Sequence, residues 1–329
     1  MQQRSLRATK DRPEPLPKVR NPKGEAKLMV WDGNWYIHRA HHGYHNQRLT
    51  NKNGEDVTIL YGVLQMIGAD LQRYRPTHAV MVFDGPNSAA YRMAIYPEYK
   101  ANRRTEDVSS ATSDNQSISV IEQQAKLALV LRHLGLQVLV HEGVEGDDLL
   151  AAVTDKFLPK SRILICTGDK DAAALVQPGV KLYNSLLVKL FDADGIIERY
   201  GVRPDQMVDY LCLLGDSTDN IPGCPQVGKK NATRILAEYG TIRKAYESGK
   251  EKKLKDWYKA EDGYKLAKKL ITLRTDIRIK ATLEDFQIQR PAEDAREFLQ
   301  FMGIRKPHDW FQGHLSGTRT KSLFDKARK

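Results

Sequence analysis

Apolar residues in this chain come in short bursts that close on an acid. Leu28-Met29-Val30-Trp31 runs into Asp32, and the stretch from His78 to Phe83 runs into Asp84. The stretch from Arg162 to Cys166 is followed by Thr167, Gly168 and Asp169. Such runs, without polar alternation, predict strands buried on both faces. Helical stretches lie between them, at 57–74 and 121–134. Strands alternating with helices predict an α/β fold, a mainly parallel twisted sheet with helices on both faces. Ligands of such sheets bind beyond the carboxyl ends of the strands. One Asp at a strand end means little, because Asp is common in turns. Three in one sheet are harder to dismiss.

The pattern also divides the chain. Residues 1–26 read as a flexible basic tail broken by Pro13, Pro15, Pro17 and Pro22, and 27–200 as the α/β core. Within the core, Thr105 to Ser119 is polar and without period, a mobile loop. Residues 201–285 are mostly helical, with candidates at 204–214, 229–239 and 263–273. Residues 286–329 hold a short helix at 291–302, opened by Pro291, and a basic tail. No internal repeat is visible.

Composition sharpens this reading. The chain carries a formal charge of +11 and a pI near 9.4, which fits a polyanionic partner. The plainer reading is that excess Lys and Arg aid solubility. Cys166, Cys212 and Cys224 are scattered, against a zinc site or a disulfide framework. The start has no apolar core of a signal peptide, and no apolar run is long enough to span a bilayer. A reducing cytoplasmic setting is expected.

Further acids join the three strand ends. Val144-Glu145-Gly146-Asp147-Asp148 opens a helix running to about Phe157. The helix dipole favours acids in a first turn, but three in four positions exceed what capping asks. Thr167-Gly168-Asp169-Lys170-Asp171 adds two carboxylates after a strand, with Gly168 letting the backbone turn. Asp216 and Asp219 stand in Gly215-Asp216-Ser217-Thr218-Asp219-Asn220-Ile221-Pro222-Gly223. Converging carboxylates repel unless cations neutralise them, and many hard oxygens suit Mg²⁺ or Mn²⁺. Acidic metal ligands within a basic protein point to a nuclease.

Other segments suit nucleic acid. Val227-Gly228-Lys229-Lys230 leads into a helix, a phosphate-binding arrangement like a helix-hairpin-helix, although Gly/Pro-rich helix connections are common. Tyr91-Arg92 and the run from Tyr96 to Arg104 interleave aromatics with cations. Pro97 fits a first helical turn, which would bring Lys100, Arg103 and Arg104 near one face. His38, His41, His42 and His45 read as a helix surface rather than a metal site, and Arg39 among them suits a phosphate contact. Leu323 and Phe324 in the tail could dock on a sliding clamp, though chance accounts for them as well.

Together the stretches VWDGNWYIHRAHH, THAVMVFDG, YPEYKANRR, GVEGDD, CTGDKDAAALV and GDSTDNIPGCPQVGKKNA strongly resemble the 5′ nuclease family. That family comprises flap endonucleases, phage 5′→3′ exonucleases and the N-terminal domain of bacterial DNA polymerase I. The last looks nearest, and the chain looks like a free-standing, monomeric version of it, as phages often encode. The resemblance implies a PIN-like core with a helical arch over about 86–120. It implies a first metal held by Asp32, Asp84, Glu145 and Asp147 with Asp148 near it, and a second by Asp169, Asp171, Asp216 and Asp219. Lys100 and Arg103 would stabilise the scissile phosphate, and Tyr99 would stack on the unpaired terminal nucleotide. Arg39, Arg92, Arg104, Gly223, Gly228, Lys229 and Lys230 would contact DNA, with room for a K⁺ on the hairpin carbonyls. Gly146 departs from the usual Ala, and Cys224 and Gln226 from the usual Val and Gly. Gln226 reaches φ > 0 less cheaply than Gly.

The implied reaction is two-metal hydrolysis with Mg²⁺, or Mn²⁺ in its place. Its substrates would be 5′ flaps, 5′ ends at nicks and gaps, and RNA primers on DNA, and its products would carry a 5′-phosphate. The alternatives are a DNA-junction binding protein without catalysis and a PIN-type ribonuclease.

Overall fold

The computed structural model describes residues 26–43, 49–102 and 120–316. The N-terminal tail, the loop at 105–119, His45, Arg103, Arg104, Leu323 and Phe324 lie outside the described residues.

The α/β expectation holds. Six strands form one sheet in the order β3-β2-β1-β4-β5-β6. They are β1 (Ala26–Asp32), β2 (His78–Phe83), β3 (Gln137–Val140), β4 (Ser161–Cys166), β5 (Val180–Asn184) and β6 (Lys189–Phe191). All pairings are parallel except that of β6 with β5 at one edge. Val30 of β1 sits opposite Val80 of β2 and Ile165 of β4.

The three central strands show why alternation is hidden in the sequence. Leu28, Val30, Val80, Val82, Ile163 and Ile165 enter one core cluster, while Met29, Trp31, Ala79, Met81 and Phe83 enter another. The side chains alternate between faces as strand geometry requires, but both faces are dry.

Helices α1 (Gly33–Gly43), α2 (Thr58–Tyr74) and α4 (Val120–His133) cover the second cluster. The short α3 (Ala90–Ile95) lies within the span expected for the arch. The first cluster is closed by α5 (Gly146–Phe157), α6 (Ala193–Tyr200), α7 (Met207–Leu214), α8 (Lys229–Tyr239), α9 (Ile242–Glu247), α10 (Lys252–Lys259) and α11 (Tyr264–Ile271). The helix expected at 204–214 begins as a 3-10 turn over Pro204–Gln206.

The expected helix at 291–302 starts later, as α12 (Ala295–Phe301). Pro291 does not open it, because the preceding backbone is engaged elsewhere: Gln289 N–H bonds to Gly135 O and Ala292 N–H to His133 O. Then α12 and α13 (Asp309–Leu315) return to the second cluster, where Leu299, Ile304 and Phe311 are buried. No helix of the described residues is long and apolar enough to cross a membrane.

Candidate functional site

The parallel sheet carries the acids to one edge. Asp32 ends β1 and Asp84 follows β2. Glu145, Asp147 and Asp148 open α5 beyond β3, and Asp169 and Asp171 follow β4. Local bonds fix several of them. Asp32 accepts from Trp35 N–H at 3.0 Å and from the Thr167 hydroxyl at 2.7 Å. The same Thr167 oxygen accepts from Asp169 N–H at 3.0 Å, so one hydroxyl spaces two acids from neighbouring strands. Asp84 accepts from Gly146 N–H at 2.6 Å, tying β2 to the start of α5. A Cβ on Gly146 would lie 3.2 Å from that carboxylate oxygen, so glycine gives Asp84 slightly more room than alanine would.

Gly168 serves a different purpose from the one expected. It is not among the residues at positive φ. A Cβ there would fall 2.4 Å from the Trp35 ring, so the glycine admits the indole.

Burial and mutual repulsion show that the acids converge. Burial raises the proton affinity of Asp147 well above the usual range, and the charges of Asp169, Asp32, Asp171 and Asp84 add to it. Asp32 is pushed up to about 7, chiefly by burial, against the stabilising bonds from Trp35 and Thr167. Asp169 and Asp171 are raised by burial too, and both feel Asp216 and Asp219. Asp171 Oδ1 is buried with no hydrogen-bond partner. Such a group of oxygens, crowded and underpaired, is what a divalent cation relieves.

Three of the acids are already matched to cations of the chain. Burial would raise Glu145, but Lys100 and Arg92 outweigh it and hold its pKa below the usual range. Lys170, which the sequence reading passed over, pairs with Asp216 at 2.8 Å and likewise holds it low against burial. Arg92 also grips Asp148. Among the described residues, no three His, Cys, Asp or Glu side chains already form a group that could grip a metal ion. The all-oxygen donor set and the orphaned Asp171 oxygen nevertheless fit a hard divalent ion.

The aromatic and basic residues depart most from expectation. Arg92, expected at DNA, is buried behind the site and ion-paired with Glu145 and Asp148. Tyr99, expected to stack on a nucleotide, is 3% exposed, and its hydroxyl donates to Glu145 and to Asp219 at 3.1 Å each. Its ring belongs to the first core cluster and is not available for stacking in this structure. Pro97 starts a turn over residues 97–100 rather than a helical turn, and helical residues follow at Ala101 and Asn102. Lys100 takes φ +54, and its ammonium lies 2.5 Å from Glu145 Oε1. Three further bonds fasten this turn to the loop carrying Asp216 and Asp219. They run from Lys100 N–H to Asp219 O, from Asn220 Nδ2 to Glu98 O and from Asn102 Nδ2 to Ser217 O.

At the hairpin, Gly228, Lys229 and Lys230 are exposed at the start of α8, and a Cβ on Gly228 would meet nothing within 4 Å. Gly223 differs: its Cβ would fall 2.4 Å from Leu214 backbone, so its bareness serves packing. Gln226 adopts φ +59, the left-handed conformation expected of a glycine, and Lys253 Nζ donates to its carbonyl at 3.1 Å. Arg39 on α1 has a buried Nε without a partner.

Comparison with known proteins agrees with this geometry. Residues 27–201 match the family model described as 5′-3′ exonuclease, N-terminal resolvase-like domain, and 202–294 match that of the 5′-3′ exonuclease, C-terminal SAM fold. The chain is 32% identical over 273 residues to a 5′-3′ exonuclease of Aquifex aeolicus, covering 80% of this chain and 87% of that one. It is 32% identical over 290 residues to DNA polymerase I of Pseudomonas aeruginosa, covering 84% of this chain but 30% of the polymerase. Among solved structures, a bacteriophage T5 flap endonuclease in a pseudo-enzyme-product complex with DNA and metal ions superposes with TM-score 0.61 at 19% identity, covering 88% of this chain and 97% of that one. At that identity the likeness is one of fold.

Proposed function

Because the chain belongs to the 5′-3′ exonuclease family, we propose that it is a metal-dependent, structure-specific 5′ nuclease acting on DNA with 5′ ends, nicks or flaps and on RNA primers paired to DNA. The observation that carries the reading is the gathering of carboxylates at neighbouring strand ends, where Thr167 links Asp32 to Asp169 and Asp84 binds the start of the helix that carries Asp147. The polymerase activity of the longer relatives is no part of the proposal, since the chain spans 30% of that length.

Asp32, Asp84, Glu145 and Asp147 would hold one Mg²⁺, and Asp169, Asp171, Asp216 and Asp219 a second. When bound, the ions supply an activated water and neutralise charge developing on the phosphate. The chain's own residues do the rest. Thr167 holds Asp32 and Asp169 in fixed relation. Gly146 N–H orients Asp84. Lys100, with Arg103, would turn to the scissile phosphate and offset its charge. Gly228, Lys229 and Lys230 would take a duplex phosphate at the open start of α8, reading no sequence. The products would be a 5′-phosphate and a 3′-hydroxyl, and the setting the cytoplasm.

The test is cleavage of a 5′-flap duplex labelled at either end, with Mg²⁺ or EDTA, for the wild type and for Asp84→Ala and Asp171→Ala. Mg²⁺-dependent cutting near the flap junction, lost in both variants, is expected. Tight flap binding by the wild type without cutting would replace the nuclease with a junction-binding protein.

A further inference from the structure

Glu145 is a carboxylate whose two oxygens face different cations. Oε2 accepts from Arg92 Nη1, Oε1 accepts from Lys100 Nζ at 2.5 Å, and the Tyr99 hydroxyl leans toward Oε1 at 3.1 Å with Oε2 at 3.4 Å. Lys100 keeps 19% of its side-chain exposure, whereas Arg92 keeps 4%. One oxygen therefore looks to the crevice and the other to the interior.

Arg92 is built in from every side. Nε donates to Leu270 O at 2.7 Å, at the end of α11. Nη1 and Nη2 form a fork on Asp148 at 2.7 and 2.8 Å. Asp148 is 1% exposed, and its Oδ1 also accepts Arg274 N–H at 2.9 Å. Both Asp148 oxygens are thus occupied by donors of the chain. A planar fork fixes the guanidinium in a way a single ammonium cannot.

We propose that Arg92 and Asp148 are a positioning pair that turns Glu145 Oε1 toward the metal crevice, and that Asp148 is not itself a metal ligand. The inference rests on the two-metal reading of the same site. It reassigns two residues, Arg92 from DNA contact and Asp148 from metal neighbour, to one task. The Leu270 and Arg274 contacts extend that task. They anchor the pair to the helical half of the chain, so the orientation of Glu145 depends on that half being docked.

Mn²⁺ binding to the full chain without DNA, followed through the spectrum of the free ion, tests this. The variants are Asp84→Asn, Arg92→Lys and the charge-balanced double Arg92→Gln, Asp148→Asn. The double variant should bind Mn²⁺ about 10-fold more weakly, as loss of a group orienting a ligand does, and Asp84→Asn by more than about 100-fold. A double variant as weak as Asp84→Asn would make Asp148 a ligand and overturn the proposal. A double variant that binds like the wild type would overturn it too, leaving the pair a role in folding alone. Should the double variant fail to fold, Arg92→Lys decides: weakened Mn²⁺ binding in a folded protein supports the proposal, and unchanged binding refutes it. If Asp84→Asn itself binds Mn²⁺ normally, the two-metal reading fails, which is a separate result.

Discussion

Replacing Lys100 by Met should move metal affinity and catalysis in opposite directions. In the structure the Lys100 ammonium sits 2.5 Å from Glu145 Oε1, where it supplies the positive charge a divalent ion would bring. A metal reaching that oxygen must displace it. A hydrogen bond between charged groups contributes about 1.5–3 kcal/mol. The lower end applies here, because Lys100 keeps 19% of its side-chain exposure and Arg92 and Tyr99 would still serve the carboxylate. About 1.4 kcal/mol is tenfold, so Lys100→Met should bind Mn²⁺ about 10-fold more tightly in titration calorimetry without DNA. Flap cleavage at saturating Mg²⁺ should fall about 100-fold or more, because the cation proposed to face the scissile phosphate is gone. Metal affinity that is unchanged or weaker in the variant would refute the competition between Lys100 and metal, whatever happens to the rate.

Three further outcomes are expected. Burial raises Asp70 from its ordinary 3.8 to about 7, against the bonds it accepts from Tyr36 at 2.5 Å and Trp31 at 3.2 Å. A raised folded-state value means stability that is full below pH 4 and lost as pH climbs towards 7, by at most about 4 kcal/mol. Denaturant midpoints in EDTA should therefore fall less steeply between pH 4 and 7 in Asp70→Asn than in the wild type, and equal slopes would contradict this. Gly168→Ala places a methyl 2.4 Å from the Trp35 ring and should cost about 1–3 kcal/mol by thermal melting, with loss of activity because Asp169 is adjacent. Phe311→Ala, at a fully buried position, should cost about 3–5 kcal/mol although the residue lies on the last described helix, and a surface-like change under 1 kcal/mol would show that α13 is not integral.

The acids were legible because a parallel sheet gathers its strand ends, and Asp32, Asp84 and Asp169 each stand at one. The central strands and longer helices were legible for the same periodic reason. The shorter strands β3, β5 and β6 were not, since four, five or three residues carry too little pattern to separate from loop. The placement of Arg92 and Tyr99 was misread for a physical cause. An Arg and a Tyr beside cations look like a nucleic-acid surface, and only contacts made 56, 53 and 46 residues away, with Asp148 and Glu145, show that they face inward. Lys170 was overlooked because its partner Asp216 lies 46 residues on. Gly168 was recognised as necessary but for a turn, and the packing need at Gly223 was not seen, because an indole or a neighbouring backbone can demand the absence of a Cβ as firmly as a turn can.

The return of α13 also bears on how the molecule is born. Phe311 completes a core layer whose other members include residues of α1, α2, β1 and β2, and Gln65 Nε2 reaches Lys306 O across 241 positions of sequence. Synthesis runs from the N-terminus, so the layer behind Asp32 and Asp84 stays unfinished until almost the whole described chain has left the ribosome. A nascent fragment would carry the acids without the frame that holds them until the last described helix is in place.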